Sequence, residues 1–463
     1  MRFSRTFSAL ALANAVLLAV AVVSLAFGLS SVAAQKVHLS VRLLPALAGV
    51  AAPLLALKLR PAIRMLAASA LVGAGVGLYS AQLVALVLTD PDRPALQAME
   101  KAAKQDSLPF DGRTRVQVIT DLRRRGIAAY PPFYPTLLLD SPLRIDGKPT
   151  IPLGSMANVF TVCCNESGPY LTYTTDEHGF PNPPGSWSKS PIDLGVIGSS
   201  QVVGESVPPA EGLPALLRAR YPNAVVIAAG GNGPLLELAG IREYLPALKP
   251  KRVLWVFSES HGPEFLERES QSPLLRSYLD PSYRQGLFEK QGALDKEIGR
   301  YFADGIQAEL RAESWITTSR KLLTLETIHK LMYFFVDARV AKSNSFQFKS
   351  ELYGKLLREG KNEIGAWGGT LTLVYWPDSS RYAGICNYTP GLRSLYDRTH
   401  DSVLRVAAEL GIPVIDLSRS FPDLPASEAA KNAVYFYPYP AHFRPAGYHH
   451  AADAILSALE AAP

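Results

Sequence analysis

A chain of 463 residues that is 48% hydrophobic and 19% charged is too apolar to stay disordered, and long enough for a membrane part plus one or two globular domains. Its net charge of +6 sits at one end: residues 1–64 carry Arg2, Arg5, Lys36, Arg42, Lys58, Arg60 and Arg64 with no Asp or Glu, which leaves −1 over residues 65–463. A near-neutral remainder excludes the electrostatic footprint of a nucleic-acid binder and places the basic residues beside apolar stretches suited to a bilayer.

Residues 7–29 and 65–88 are uncharged and long enough to cross a hydrocarbon core of about 30 Å. Residues 43–57 form a shorter stretch containing Pro45 and Pro53. If all three cross, Arg2 and Arg5 precede the first span, and Lys58, Arg60 and Arg64 lie between the second and third. The positive-inside rule then puts both groups in the cytoplasm and everything after Asp90 outside it. Residues 1–89 are thus expected to be a membrane anchor of three transmembrane helices. A cleaved signal peptide over residues 1–34, ending in Val32-Ala33-Ala34, is the alternative, and it leaves the large domain on the same side.

Residues 90–190 read as a connecting region: a basic helix around Arg115–Arg125, the proline-rich "AYPPFYP", then short strands within Thr161–Tyr173. Cys163, Cys164 and Cys386 allow at most one intrachain bridge, from the Cys163/Cys164 pair to Cys386, and three buried free thiols fit the same count. They show no metal-ligand spacing. Three adjacent residues rarely converge on one ion, so Asp176, Glu177 and His178 mark a turn and no metal is expected.

From residue 191 onward, short β-rich runs alternate with helical patterns. The strands are "DLGVI", "AVVIA" from Ala224, "RVLWVF" from Arg252, "TLTLVYW" from Thr370 and "PVIDL" from Pro413. Helices are expected at Leu213–Tyr221, Leu235–Leu245, Leu395–Leu410 and Pro445–Leu459. This alternation implies an α/β sandwich with a mostly parallel sheet over residues 191–463, interrupted by a helical insertion at residues 264–365. Ligands of such sheets meet the carboxyl ends of the strands. There the sequence gathers Ser199 and Ser200, Gly230-Gly231-Asn232-Gly233, Glu259-Ser260-His261 and Pro377-Asp378, with His442 before the last helix. A serine, a glycine turn with free N–H groups and a late histidine are the parts of an acyl-transfer site.

These blocks resemble the SGNH/GDSL hydrolase superfamily, in particular its membrane-anchored bacterial members. "GSSQVVGESV" is similar to the family's Gly-Asp-Ser block, "VVIAAGGNGPLLEL" to the second, "VLWVFSESHG" to the third and "HFRPAGYHHAADAI" to the last. The resemblance implies a flavodoxin-like parallel sheet, with Ser200 as nucleophile, His442 as general base, and the N–H groups of Ser200 and Gly231, with His261, as the oxyanion hole. No cofactor is implied. Three positions depart from the pattern: Ser199 replaces the usual Asp, His261 and Gly262 replace Asn-Asp, and Tyr439 stands three before the histidine where an orienting Asp is common. A backbone carbonyl or a carboxylate such as Asp416 or Asp378 would then have to orient His442.

The expected function is a serine esterase or O-acyltransferase acting on an acylated small molecule or cell-envelope glycan, anchored in a bacterial inner membrane with its large domain in the periplasm. The rival is a catalytically silent protein that keeps the cleft for glycan binding or envelope polysaccharide assembly. For Ser200 the plain alternative is a helix N-cap, and for His442 it is packing within "YFYPYPAHF". His261 equally fits a surface role. His449 and His450 on the last helix are expected to be solvated or packing residues.

Overall fold

The computed structural model describes residues 10–18, 51–88, 93–259, 262–312, 348–378, 381–382, 390–421 and 442–461. The chain divides into two units, residues 1–90 with 315–337 and residues 91–314 with 338–463. In the first, the helix Pro61–Leu88 has 28 residues, and its apolar run is broken by Ser69, Ser80 and Gln82. Ala13, Leu17, Ala56 and Ala68 form a small apolar cluster. Among the described residues no helix is long and apolar enough to cross a membrane. Most of the first two expected spans lies outside the described residues. Membrane crossing therefore rests on the sequence alone.

The second unit is built on a five-stranded parallel sheet: β6 Leu194–Gly198, β7 Val225–Ala228, β8 Arg252–Ser258, β9 Thr370–Trp376 and β10 Val414–Asp416. Five short strands, β1 to β5, precede it within residues 129–174. The spatial order is β10-β9-β8-β6-β7. Counting β6 as first, this is the flavodoxin-like order 2-1-3-4-5, with a switch point between β6 and β8. Because β6 is an interior strand covered on both faces, all five of its residues are buried and it reads as a continuous apolar run.

Alternate residues of each strand enter different cores. Ile197, Val253, Trp255, Phe257, Leu373 and Tyr375 pack with the helices Pro234–Leu248, Ser350–Gly365 and Pro390–Glu409. Leu194, Val196, Leu254, Val256, Val374 and Trp376 face the helices Leu213–Arg220 and Pro445–Ala461. The result is a sandwich of helices on both sheet faces. The stretch expected as a helical insertion, residues 264–365, lies between β8 and β9. Within it, Ser350–Gly365 packs against β9 and the core through Tyr353, Leu356, Leu357 and Ile364, so it forms part of a sheet-covering layer.

Residues 93–190 are bound into the same body. The helix Arg115–Arg124 starts at a capping box formed by Thr114 and Gln117. Strands β1 Ala129–Tyr130, β4 Phe160–Val162 and β5 Thr172–Thr174 form a small sheet in the order β1-β4-β5, and β2 Leu143–Ile145 pairs with β3 Lys148–Thr150. Phe133, Leu138, Ile151, Leu153 and Phe180 belong to the core that contains Trp255 and Phe257. Asp176 begins the expected turn but is fully buried, accepting from His178 N, Phe180 N, Asn182 Nδ2 and Trp187 Nε1. Burial pushes its carboxyl up to about 6 against those donors. Among the described residues no cluster fit to hold a metal ion occurs.

Candidate active site

Strand β6 ends at Gly198, and the chain turns at once into the short helix Ser200–Val203. A Cβ at Gly198 would lie 2.5 Å from Val202 Cγ2, so the tight turn needs glycine there. Ser199 is the residue at the cap position, and its side chain makes no capping bond. Ser200 is therefore the first helical residue rather than an N-cap. It is 4% exposed. Its Oγ lies 3.3 Å from His442 Nε2.

His442 Nδ1 lies 2.8 Å from Glu166 Oε2, which completes a serine–histidine–carboxylate chain. Glu166 was not a candidate in the sequence. It stands in the turn between β4 and β5, where Gly168 N donates to Asn165 O and Asn165 Nδ2 to Asp111 O, fixing the hairpin tip. Asp416 is occupied by His400 Nε2 at 2.9 Å and by Ser418, and the Asp378 N–H donates to Glu259. Neither aspartate supplies the bond that His442 makes to Glu166. Tyr439 lies outside the described residues.

Electrostatics set the state of the histidine. Burial opposes its charge, but the Glu166 carboxylate, its hydrogen bond and the nearby Glu205 outweigh that and push His442 up to about 9. Glu205 is itself raised by burial, against the pull of His442. Ser206 joins the same group: its hydroxyl donates to Glu166 Oε2 and lies 3.1 Å from His442 Nδ1, while its N–H donates to Cys164 Sγ at 3.3 Å. Cys163 and Cys164 are free, with their sulfurs 2.8 Å apart, and Cys386 lies outside the described residues. The bridge from this pair to Cys386 thus has only the sequence behind it.

Gly231 follows β7 in a left-handed conformation with φ +75°. Asn232 Nδ2 reaches back 3.4 Å to Gly198 O, tying this turn to the end of β6. Glu269 holds the other side, with Oε1 accepting from Gly233 N at 2.7 Å and Oε2 from Leu235 N at 2.8 Å. Ser200 Oγ also lies 3.4 Å from Gln201 Oε1. His261 lies outside the described residues. Just before it, the buried Glu259 is clamped by Arg381 through Nε and Nη2 at 2.6 Å each and by the Tyr375 hydroxyl. His449 pairs with Glu211 at the surface and His450 Nε2 with Ser420 O, away from the serine.

No family model and no curated protein matches the chain. Solved structures similar to it include a psychrotrophic esterase EstA from Pseudoalteromonas inhibited by monoethylphosphonate, with 10% identity over 58% of this chain and 97% of that one and a TM-score of 0.31. TesA is similar with 12% identity, 58% and 98% coverage and a TM-score of 0.30. LAE5, an alpha/beta hydrolase enzyme from the metagenome of Lake Arreo, Spain, shows 16% identity, 60% and 98% coverage and a TM-score of 0.31. Likenesses this distant leave the reading of the site to its own geometry.

Proposed function

We propose that this protein is an SGNH-type serine hydrolase of acyl esters, and the observation that carries the reading is the unbroken chain from Ser200 Oγ through His442 to Glu166. Ser200 Oγ attacks the acyl carbon while its proton passes to His442 Nε2. The N–H groups of Ser200 and Gly231, with His261, receive the developing oxyanion. Collapse expels the alcohol, which takes the proton from His442. Water, or the hydroxyl of an acceptor in a transferase, then attacks the acyl-serine and gives a proton to His442, and collapse breaks the acyl–Oγ bond as Ser200 Oγ takes that proton, releasing the acid or the new ester. Glu166 keeps Nδ1 protonated and Nε2 facing the serine.

Location supports an envelope substrate such as an acylated glycan. The uncharged stretches at residues 7–29 and 65–88, flanked by basic residues, fit a bilayer anchor with the large domain in the periplasm. A serine-reactive phosphonate tests the chemistry. It should label the wild-type protein and fail on Ser200→Ala, and absence of label from the wild type would favour a silent, glycan-binding protein. A reporter fused after Pro463 tests the location, and cytoplasmic reporter activity would overturn it.

A further inference from the structure

We infer that Ser206 is a positioning residue that clamps Glu166 against His442, an inference that rests on the hydrolase reading above. Ser206 is fully buried and adopts φ +78°, a left-handed conformation that glycine enters freely and other residues rarely do. Glycine would hold this backbone more easily, so the serine side chain must contribute something a hydrogen atom does not. Its hydroxyl donates to Glu166 Oε2, the same oxygen that faces His442 Nδ1, and its own oxygen lies 3.1 Å from that nitrogen.

The clamp answers a specific need. A glutamate has one more rotatable bond than an aspartate, and Glu166 projects from a hairpin turn rather than from the loop that carries the histidine. A single bond to the imidazole leaves its carboxylate free to swing; a second donor on the same oxygen removes that freedom. The Ser206 backbone is fixed in turn by its N–H on Cys164 Sγ, two residues before Glu166, so clamp and carboxylate share one anchor. Glu166, Glu205 and Cys164 act electrostatically on His442, Arg115 acts on Glu205, and Tyr448 and Cys163 lie in the same field. Ser206 itself carries no charge, so its removal alters the placement of these groups and not their number.

Two substitutions in the full-length protein separate the hydroxyl from the backbone. Ser206→Ala removes the hydroxyl and keeps the backbone cost, whereas Ser206→Gly removes both. Both variants should lose about tenfold or more in kcat on a small acyl ester with KM within about twofold, because the interaction serves the proton transfer and not substrate binding. Ser206→Gly should nevertheless melt above Ser206→Ala, because it alone relieves the left-handed backbone. The titration midpoint of His442, followed by NMR of labelled histidine and assigned with His442→Gln, should fall toward the ordinary imidazole value in both variants as Glu166 swings away. Unchanged kcat and midpoint would overturn the clamp. If the wild type neither hydrolyses esters nor takes the phosphonate, the hydrolase reading fails, and the His442 midpoint still decides whether Ser206 holds the pair together.

Discussion

Glu166 Oε2 and His442 Nδ1 meet at 2.8 Å although 276 residues of chain separate them. The pair joins the turn between β4 and β5 to the segment before the last helix, so the histidine is oriented from outside the main sheet. Glu166→Gln keeps the shape but offers Nδ1 an amide that can present its own N–H and favour the wrong tautomer. Turnover should fall by roughly 10³–10⁴, with phosphonate labelling slowed in proportion and folding retained. Wild-type turnover in this variant would remove Glu166 from the mechanism.

Activity and stability should run in opposite directions with pH. The base must be neutral, and His442 is held charged up to about 9, so kcat/KM should climb about tenfold per pH unit below that value. The folded-state pKa lies above the ordinary 6.5, so the ion pair stabilises the fold fully below pH 6.5 and this contribution is lost as pH rises through 9. Thermal melts and initial rates across pH 6 to 10 check both limbs. His442→Gln should flatten its share of the stability change.

Glu269 predicts a second, separate pH effect. Its carboxyl caps the start of the helix Pro234–Leu248, yet burial pushes it up to about 8 against the N–H groups of Leu235, Gly233 and Leu236. A raised folded-state value means its contribution is complete below pH 4.5 and disappears toward pH 8. Denaturant melts of Glu269→Gln should show a shallower loss of stability across that window than the wild type, whatever the change at any single pH. An unchanged slope would show that the group does not titrate there.

His261 remains the expected third oxyanion donor. His261→Ala should lower turnover by about 10²–10³ with little effect on melting, while His261→Asn should retain or raise it, because an amide donates at every pH. Full activity in the alanine variant would leave a hole of two backbone donors.

Strands β6 to β9 are legible because their middles are buried on both faces and so appear as apolar runs of four or five residues. The residues at their carboxyl ends followed from the parallel arrangement, which is why Ser200 and Gly231 could be named in advance. Glu166 could not. It belongs to a different, smaller sheet, and nothing in "CCNESGPY" announces a partner so distant in the chain; its one local signal is a carboxylate at the tip of an Asn/Ser/Gly turn between two β-rich runs. The helix Ser350–Gly365 was assigned to an insertion because charged patterns precede it without a strand, although its apolar face belongs to the main core.

The sharing of one core by Phe133, Leu153, Phe180 and Trp255 sets where this protein can be cut. A fragment beginning at residue 191 would contain every strand of the five-stranded sheet, the serine and the histidine, yet it would expose the face those aromatic and aliphatic side chains cover and would lack the acid. Expression designs, domain swaps and truncation series should therefore begin upstream of the capping box at Thr114, and a fragment that starts later would bring aggregation and inactivity together.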